Sequence, residues 1–346
     1  MPSWGCEKED HIMKKVSYVA RISLIIILIS FIISFGFGGT RLANGNVASA
    51  SGEQWMQNRM IAHAMGSVGG MSYTNSYEAF MTNYNRGYRL FEVDLMMTLD
   101  GKVVAKHGWT KKIQPDLPVK SGHKPTLAQF KDALIYGEYQ PLSWEDIVSL
   151  MAKYPDVYVI LDTKETDIQK VKAQFAALVS VANIVDPAIM QRVIPEIFNP
   201  EMYDAVMEIY PFPHKIYSLY KTLASADSIV AYVKAKHITA VAMPVSRTIV
   251  NPTLIQRLNK LGVKSYVHTV NNTMMMNGLQ EIGAYGFYTD APRGPDKLLA
   301  LLKNGDRSTT MPLLCILLIC VGIQWKYTRM SKRTKNRLKV TKYAEE

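Results

Sequence analysis

The stretch RLFEVDLMMTLDGKVVAKHGW, residues 89–109, carries a strand pattern with two carboxylates near its start. Side chains two positions apart in a strand share a face, so Glu92 and Asp94 are expected to point to the same side. Two carboxylates this close repel each other unless a cation or a proton lies between them. The stretch therefore predicts a buried strand that presents a cation site.

Histidines lie on both sides of this strand in the sequence. Upstream, an apolar run ends at His63 in IAHAMG, residues 61–66, and downstream an Asp100-Gly101 turn leads into a run that ends at His107. A turn of this kind predicts that residues 103–106 return as the second arm of a hairpin. Two histidines near a cation site can act as acid and base in a displacement. The combination indicates a metal-assisted hydrolytic site.

The composition limits the classes of protein to consider. The chain has 346 residues and is 48% hydrophobic, which excludes a disordered protein. Its net charge of +11 lies mainly at the ends: residues 1–50 carry +2, residues 307–346 carry +7 and residues 51–306 only +2. The body therefore gives no indication of a nucleic-acid-binding surface. None of the three cysteines lies in residues 51–306, so a metal there needs oxygen or imidazole ligands.

The N-terminal segment has the pattern of a membrane signal anchor. Residues 1–21 form a basic tail, and residues 22–38 follow as an uncharged run rich in Ile, Leu and Phe. This run is long for a signal-peptide core and slightly short for a membrane span. Ala48, Ser49 and Ala50 resemble a signal-peptidase site, but they lie well beyond the run. We therefore expect a retained anchor followed by a linker over residues 39–55, with a cleaved signal peptide as the alternative.

The C-terminal segment repeats this pattern in reverse. Residues 309–327 contain a nearly uninterrupted apolar run, and residues 328–346 hold most of the excess basic charge. Basic flanks stay on the cytoplasmic side of a membrane, and they also suit anionic lipid head groups. We therefore expect two transmembrane helices with both termini in the cytoplasm. A body over residues 56–304 would then face the outside of the cell membrane.

Strand and helix patterns alternate through this body. A clear amphipathic helix is predicted over residues 167–183, and further helices separate the later strands. Eight main strands are predicted over residues 59–63, 90–97, 157–164, 193–198, 216–220, 238–243, 263–270 and 286–289. This order and size favour an α/β fold of the (β/α)8 TIM-barrel type over a doubly wound sheet.

Polar side chains fall near the ends of the predicted strands. Active sites of (β/α)8 barrels form at the carboxyl ends of the strands. A single carboxylate there is more often a capping or ion-pairing residue than a ligand, but a set on five strands indicates a shared site. The set is His63, Glu92, Asp94, Asp162, Lys164, Glu196 and His268.

The same residues carry a resemblance to the glycerophosphodiester phosphodiesterase family, within the wider group of phosphatidylinositol-phospholipase-C-like barrels. The segments HAMG at 63–66, YTNS at 73–76, EVD at 92–94 and HG at 107–108 resemble the family's His-Arg-Gly, Pro-Glu-Asn-Thr, Glu-x-Asp and His-Asp motifs. The segments DTK at 162–164, TVN at 269–271 and TDAP at 289–292 resemble its Glu-x-Lys, Thr-Val-Asn and Thr-Asp-x-Pro motifs. The resemblance spans about residues 59–300, and its specificity comes from the ordered set.

The sequence departs from the family pattern at three positions. Ala64 stands where the family has an arginine that can bind phosphate, and Gly108 stands where it has an aspartate. Asp162 is one methylene shorter than the family's glutamate, and an aspartate before a lysine also resembles the sphingomyelinase-D branch of these barrels. Because of these departures, the resemblance indicates the reaction class more specifically than it indicates the substrate.

The resemblance implies a metal site and an acid–base pair. Glu92, Asp94 and Asp162 would hold one divalent cation, Mg²⁺ or Ca²⁺, since hard cations prefer oxygen ligands. His63 and His107 would flank the phosphorus as acid and base, and Lys164 would supply a cation for the phosphate. Three further residues are interpreted as substrate-lining, with plain packing as the alternative: Glu196, His268 and Trp109.

These inferences favour one function and leave others open. The favoured function is a metal-dependent phosphodiester hydrolase that acts outside the membrane on glycerophosphodiesters, phospholipid head groups or envelope polymers such as teichoic acids. The first alternative is a catalytically weak barrel that binds phosphodiesters or serves as an envelope scaffold, which the missing arginine at Ala64 supports. The second is a lipid phosphodiesterase of the sphingomyelinase-D type.

Overall fold

Nine strands form one sheet in the computed structural model, which describes residues 54–119 and 124–304. Eight of the strands are parallel, and the sheet closes into a barrel because the first pairs with both the second and the last. The strands are β1 Met60–Ala62, β2 Leu90–Met97, β3 Val103–Ala105, β4 Tyr158–Thr163, β5 Val193–Ile197, β6 Ile216–Ser218, β7 Ala240–Pro244, β8 Lys264–His268 and β9 Gly286–Thr289. The predicted α/β barrel of eight parallel strands is confirmed.

Helices follow the strands around the outside of the barrel. Those of the α type are α1 Tyr77–Asn85, α2 Leu127–Asp132, α3 Trp144–Lys153, α4 Ile168–Val185, α5 Pro200–Ile209, α6 Ala226–Ala235, α7 Val245–Val250, α8 Pro252–Lys260, α9 Thr273–Ile282 and α10 Pro295–Asn304. Short 3₁₀ helices lie at Gln54–Gln57, His63–Met65 and Pro187–Arg192.

Capping side chains determine where several helices begin. The hydroxyl of Ser76 accepts a hydrogen bond from the Ala79 amide at the start of α1, and Asp167 accepts one from the Lys170 amide at the start of α4. Thr126 begins α2 in a reciprocal capping box with Gln129. Each such cap typically stabilises its helix by about 1 kcal/mol. Ser143 begins α3 in the same way, and its hydroxyl accepts a hydrogen bond from the Asp146 amide.

The two faces of β2 have different surroundings. Phe91, Val93 and Leu95 belong to the large apolar cluster that joins the strands to the surrounding helices. Glu92 and Asp94 lie on the opposite face and are buried within the barrel. In the pairing of β2 with β4, Asp94 is directly opposite Asp162. The strand register thus brings two candidate metal ligands side by side.

The barrel interior beneath these polar groups is apolar. Isoleucines from β1, β4, β5 and β6 pack with Tyr266 and Tyr288, and Trp55 stacks on Tyr266 with 6.1 Å between ring centroids. Trp55 lies in the 3₁₀ helix that precedes β1, so it closes the amino-terminal end of the barrel. The carboxyl ends of the strands are left for polar side chains.

The hairpin predicted after β2 is present, and the chain beyond it forms a side structure. β3 runs antiparallel to β2, with Leu95 opposite Ala105. The segment after β3 contains α2 and packs as a separate apolar cluster of Val104, Leu117, Phe130 and Ala133. This segment after β3, called the excursion below, carries His107 at its beginning.

Three helices and one turn differ from the sequence-based predictions. The patterns did not predict α2, α7 or α10, and the first two have only six residues each. His63 was expected within the first strand but lies in a 3₁₀ turn after it. The reason is that Ala64 and Met65 adopt positive φ angles of 48° and 66°, which bend the chain away from the strand direction.

The predicted membrane segments at residues 22–38 and 309–327 lie outside the described residues, as do most of the linker and both tails. Within residues 54–119 and 124–304, no helix has the length and apolar character needed to cross a bilayer.

Candidate active site

Three buried carboxylates meet at the carboxyl end of the barrel. Glu92 and Asp94 come from β2 and Asp162 from β4, and one oxygen of each lies within 4.8 Å of the others. Burial, followed by the charge of Asp94, raises the pKa of Glu92 well above its usual range. Such a cluster of hard oxygen atoms with unfavourable mutual repulsion suits a divalent cation.

Lys164 balances part of this negative charge. Its ammonium lies 2.5 Å from Asp94 Oδ1 and also contacts Asp162. Burial alone would raise the pKa of Asp94, but the charge of Lys164 together with its hydrogen bond lowers it. Burial would likewise lower the pKa of Lys164, and the charges of Asp94 and Asp162 raise it instead. Lys164 is therefore a charged, mostly buried cation inside the site.

Backbone and amide donors fix the two carboxylates of β2. The Ala64 amide donates to Glu92 Oε2 at 2.7 Å, which the left-handed turn at residues 63–65 makes possible. Asn75 donates from Nδ2 to Asp94 Oδ2 at 2.8 Å, and its Oδ1 accepts from the Asp94 amide at 3.1 Å. The loop before α1 is thus attached directly to the carboxylate cluster.

His63 is oriented by a carboxylate from the last strand. Its Nδ1 lies 2.9 Å from Oδ1 of Asp290, which directly follows β9. Because a carboxylate only accepts, Nδ1 carries the hydrogen and Nε2 is the other reactive position. Burial alone would lower the pKa of His63, but the Asp290 hydrogen bond and the charges of Glu92, Asp290 and Asp94 raise it to about 9. This environment therefore favours the protonated form of His63.

His107 lies at the edge of this arrangement. It follows β3 and is exposed, whereas its neighbour Lys106 is buried and donates to Gln114 Oε1 at 2.8 Å. The ring of Tyr73 contacts both histidines, with centroids 4.7 Å from His63 and 5.3 Å from His107. The structure therefore connects the two histidines through one aromatic ring.

A small cavity of about 40 Å³ continues the site toward the other side of the barrel. Tyr288 donates to Glu196 Oε1 at 2.5 Å, and Tyr220 donates to Asp162 Oδ1 at 3.1 Å. The His268 Nε2 atom is buried and has no hydrogen-bond partner among the described residues. Burial, followed by the charge of Asp162, raises the pKa of Glu196 to about 7, while burial lowers the pKa of His268 to about 4. The cavity thus presents several groups that can bind hydroxyls.

The structure brings most of the sequence-predicted site residues together. Those near the carboxylate cluster and its cavity are His63, Glu92, Asp94, Asp162, Lys164, Glu196 and His268. Trp109 lies elsewhere: its ring packs against Phe130 at 6.2 Å, within the cluster under the excursion. Trp109 is therefore left out of the substrate-binding residues proposed below.

Five contributors were given no role from the sequence: Tyr73, Asn75, Tyr220, Tyr288 and Asp290. Tyr73, Asn75 and Asp290 lie in segments that carry the resemblance, and Asp290 also follows a predicted strand directly. That position could have marked Asp290 as a site residue. Neither Tyr73 nor Tyr220 follows a predicted strand directly, and their contacts with the site depend on how the loops that carry them fold over the barrel.

The fold and the site together define a class of enzyme. A carboxylate cluster, a charged lysine and a carboxylate-oriented histidine at this end of a barrel are suited to cleaving phosphodiesters. A profile of the Glycerophosphoryl diester phosphodiesterase family matches residues 67–293, and the chain belongs to this family. The protein is therefore a phosphoric diester hydrolase.

Solved structures of such enzymes have a similar fold. A glycerophosphodiester phosphodiesterase from Parabacteroides distasonis gives a TM-score of 0.58 at 19% identity, over 71% of this chain and 96% of that chain. One from Thermotoga maritima gives 0.53 at 19%, over 68% and 95%. A phosphodiesterase from Oleispira antarctica, solved with the product sn-glycerol-3-phosphate, gives 0.58 at 16%, over 70% and 96%. No curated protein sequence matches the chain.

Proposed function

We propose that the protein is a metal-dependent hydrolase of glycerophosphodiesters, or of the phosphodiesters in phospholipid head groups and teichoic-acid-like envelope polymers. The observation that carries the proposal is the convergence of Glu92, Asp94 and Asp162 with Lys164 and the His63–Asp290 pair. Membership of the family supports the glycerophosphodiester class first.

The chemistry of the donor set fits a hard divalent cation such as Mg²⁺ or Ca²⁺. Three carboxylates face one ammonium, so the cluster has excess negative charge in a buried place. A cation held by Glu92, Asp94 and Asp162 would offset negative charge that develops on a phosphate oxygen. Lys164 is the buried cation available for the remaining phosphate charge, since Ala64 supplies none.

The two histidines divide the proton transfers between them. His63 is held at Nδ1 by Asp290, which favours its protonated form, so its Nε2–H is the general acid that protonates the leaving alkoxide. His107 is exposed near the site mouth and acts as the general base that removes a proton from the attacking water. In each turnover His107 gains one proton and His63 loses one. Proton exchange with solvent then restores the starting protonation state of both residues.

The small cavity suits a hydroxyl group of the alcohol part of the substrate. Its hydroxyl and carboxyl groups, on Glu196, Tyr220 and Tyr288, can donate to or accept from the hydroxyls of a polyol such as glycerol. The uncharged His268 adds a buried ring nitrogen with no partner in the described chain. The Oleispira antarctica phosphodiesterase was solved with sn-glycerol-3-phosphate, which supports glycerol as the alcohol here.

We further propose that the enzyme acts at the outer face of the cell membrane. The apolar runs at residues 22–38 and 309–327 would anchor it, with residues 1–21 and 328–346 in the cytoplasm and residues 56–304 outside. Reporter fusions at the two termini test this arrangement. Both fusions are expected to report the cytoplasm, and a C-terminal reporter active only outside the cell would contradict it.

The enzyme alternatives are separated by substrate and product. The full-length chain in detergent is incubated with glycerophosphocholine, a poly(glycerol phosphate), lysophosphatidylcholine and sphingomyelin, each with Mg²⁺ and with Ca²⁺. Release of glycerol 3-phosphate from glycerophosphocholine or from the poly(glycerol phosphate) is the expected result. Cleavage confined to the two choline lipids would favour the sphingomyelinase-D type, and binding of diesters without turnover would favour the scaffold suggested by Ala64.

A further inference from the structure

Tyr73 contacts both proposed acid–base groups at once. Its ring is nearly perpendicular to the imidazole of His63, at an interplanar angle of 86°, and to that of His107, at 82°. Edge-on contacts at these distances are favourable for aromatic rings. The side chain is 40% exposed, and its hydroxyl makes no hydrogen bond to any described residue. Tyr73 therefore contacts the site through its ring and not through its hydroxyl.

The backbone holds Tyr73 in an unusual conformation. Its φ angle is +61°, in the left-handed region that bulky residues rarely adopt. The next residue but one, Asn75, fixes the loop, because its amide donates to the Ala64 carbonyl at 3.1 Å and its side chain bonds Asp94. Tyr73 is therefore carried by a loop that is attached to the first two strands of the site.

The two histidines differ in what else orients them. His63 has the Asp290 carboxylate at 2.9 Å, so its ring is fixed without Tyr73. His107 is exposed, and among the described residues its side chain has no hydrogen bond; its ring contact there is with Tyr73. A general base must be held in reach of the proton that it removes. The site thus has an orienting group for the acid and, in Tyr73, a candidate for the base.

We propose that Tyr73 is the positioning residue for His107, and that it acts through its aromatic ring by setting the separation of His107 from His63. This inference rests on the proposed function, in which His107 is the general base. It goes beyond the family pattern, since Tyr73 stands where the resembling motif has a proline, which has no aromatic ring. The hydroxyl takes no part in the proposal.

Two substitutions separate the ring from the hydroxyl. Tyr73→Phe keeps the ring, and Tyr73→Asn removes it while tolerating a positive φ angle. With glycerophosphocholine as substrate, we expect Tyr73→Phe to keep kcat within about twofold, whereas Tyr73→Asn lowers kcat roughly ten- to hundredfold with little change in KM. Adding Tyr73→Asn to His107→Ala should cause no further loss, because the group to be positioned is already absent. Tyr77→Ala is the matched control, since Tyr77 is 37% exposed in the same region and no ring contact joins it to either histidine.

A second measurement does not depend on turnover. In protein labelled with ¹³C-histidine, the ring signals of His107 and His63 should shift in Tyr73→Asn, whereas Tyr73→Phe and Tyr77→Ala should leave them in place. If no diester is hydrolysed by the wild type, the proposed function fails, but these spectra still test the ring contacts. Equal losses of kcat in the Phe and Asn variants, or unshifted histidine signals in Tyr73→Asn, would overturn the proposal. Tyr73→Gly repeats both measurements if the Asn variant does not fold.

Discussion

Three carboxylates and one ammonium share the buried end of the barrel, and they are not equivalent. Asp94 has Lys164 at 2.5 Å and the Asn75 amide at 2.8 Å, so its charge is well compensated. Glu92 has one amide donor from Ala64, and its pKa is raised by burial and by Asp94. The same loss of charge should therefore have different effects at the two positions.

We predict that Glu92→Gln and Asp94→Asn both abolish hydrolysis but differ in stability without metal. Glu92→Gln should leave the free energy of unfolding unchanged or raise it, because repulsion with Asp94 is relieved. Asp94→Asn should lower it by roughly 3 kcal/mol, because Lys164 loses a buried partner. Urea unfolding in EDTA measures both. Equal destabilisation by the two substitutions would contradict this charge balance.

His63 should make the stability of the metal-free protein depend on pH. Its pKa is raised from 6.5 to about 9, so the folded state binds more protons than the unfolded state between these values. The contribution is fully present below pH 6.5 and is lost as the pH rises through about 9, on the order of 3 kcal/mol at most. In Asp290→Asn the stability lost between pH 6.5 and 9 should be smaller, because the side chain at position 290 is the main group that raises the pKa of His63 and it no longer carries a charge.

Urea unfolding at a series of pH values, with EDTA present, tests this prediction. The difference between wild type and Asp290→Asn isolates His63 from other titrating groups such as Glu92. The difference should be largest below pH 6.5 and should fade above pH 9. A difference that is the same at every pH would show that Asp290 does not act through the His63 charge.

If His63 is the general acid and His107 the general base, replacing either histidine should lower kcat by a similar factor. General acid–base groups typically contribute on the order of 10²–10⁴-fold each. His63→Ala and His107→Ala should therefore each lower kcat at least about a hundredfold, while calorimetric binding of Mg²⁺ is largely kept. Single-turnover kinetics separates the chemical step from product release. Full activity in either variant would remove that histidine from the mechanism.

At the scale of elements, the hairpin of β2 and β3 brings His107 to the site and leads into the excursion that packs beside it. Buried Lys106 links the two parts, since it bonds Gln114, whose side chain donates to the carbonyls of Phe130 and Ala133 at 3.1 and 2.5 Å. Burial lowers the pKa of Lys106 to about 8, and it has no carboxylate partner within the described chain. The excursion therefore depends on one buried amide.

We predict that Gln114→Ala destabilises the protein by roughly 1–3 kcal/mol, because it leaves the Lys106 ammonium and two carbonyls without their partner. Gln140→Ala is the matched control, since Gln140 is an exposed glutamine in the same excursion. Urea unfolding measures the two variants. Hydrogen exchange should show the loss of protection concentrated around α2. If Gln114→Ala lowers the free energy of unfolding no more than Gln140→Ala does, water replaces the Gln114 amide.

How far the sequence predicts this fold depends on the length and regularity of each element. The period of two in β2 and the long amphipathic pattern of α4 predicted both elements to within about two residues. The six-residue helix α2 was missed although Thr126 and Gln129 form a capping box, because it lies in an irregular segment. The turn after β1 was also missed, because nothing local in Ala64 and Met65 indicates a positive φ angle.

The site was predictable where it follows from strand ends and not where it follows from loops. Glu92, Asp94 and Asp162 share a place because parallel strands end at the same edge of the barrel. The contacts of Tyr73 with two histidines and of Tyr220 with Asp162 join residues 10 to 58 positions apart, and in each contact at least one partner lies on a loop. No periodic pattern records such contacts, since they depend on loop conformation.

For the whole molecule, the barrel is a scaffold whose core and site occupy different ends. Trp55 and the isoleucines fill the amino-terminal part, so the interior is packed and the polar groups are confined to the carboxyl ends of the strands. Substitutions in the site should therefore change catalysis without removing the fold. This separation makes a direct test of the proposed chemistry possible on the complete protein.

The most direct test is the release of sn-glycerol 3-phosphate from glycerophosphocholine by the full-length chain in detergent micelles. We predict turnover with Mg²⁺ or Ca²⁺, loss of turnover in EDTA, recovery when the cation is returned, and no turnover in Glu92→Gln under any of these conditions. An unchanged rate in EDTA, or a fully active Glu92→Gln variant, would contradict the proposal that these three carboxylates hold a catalytic metal.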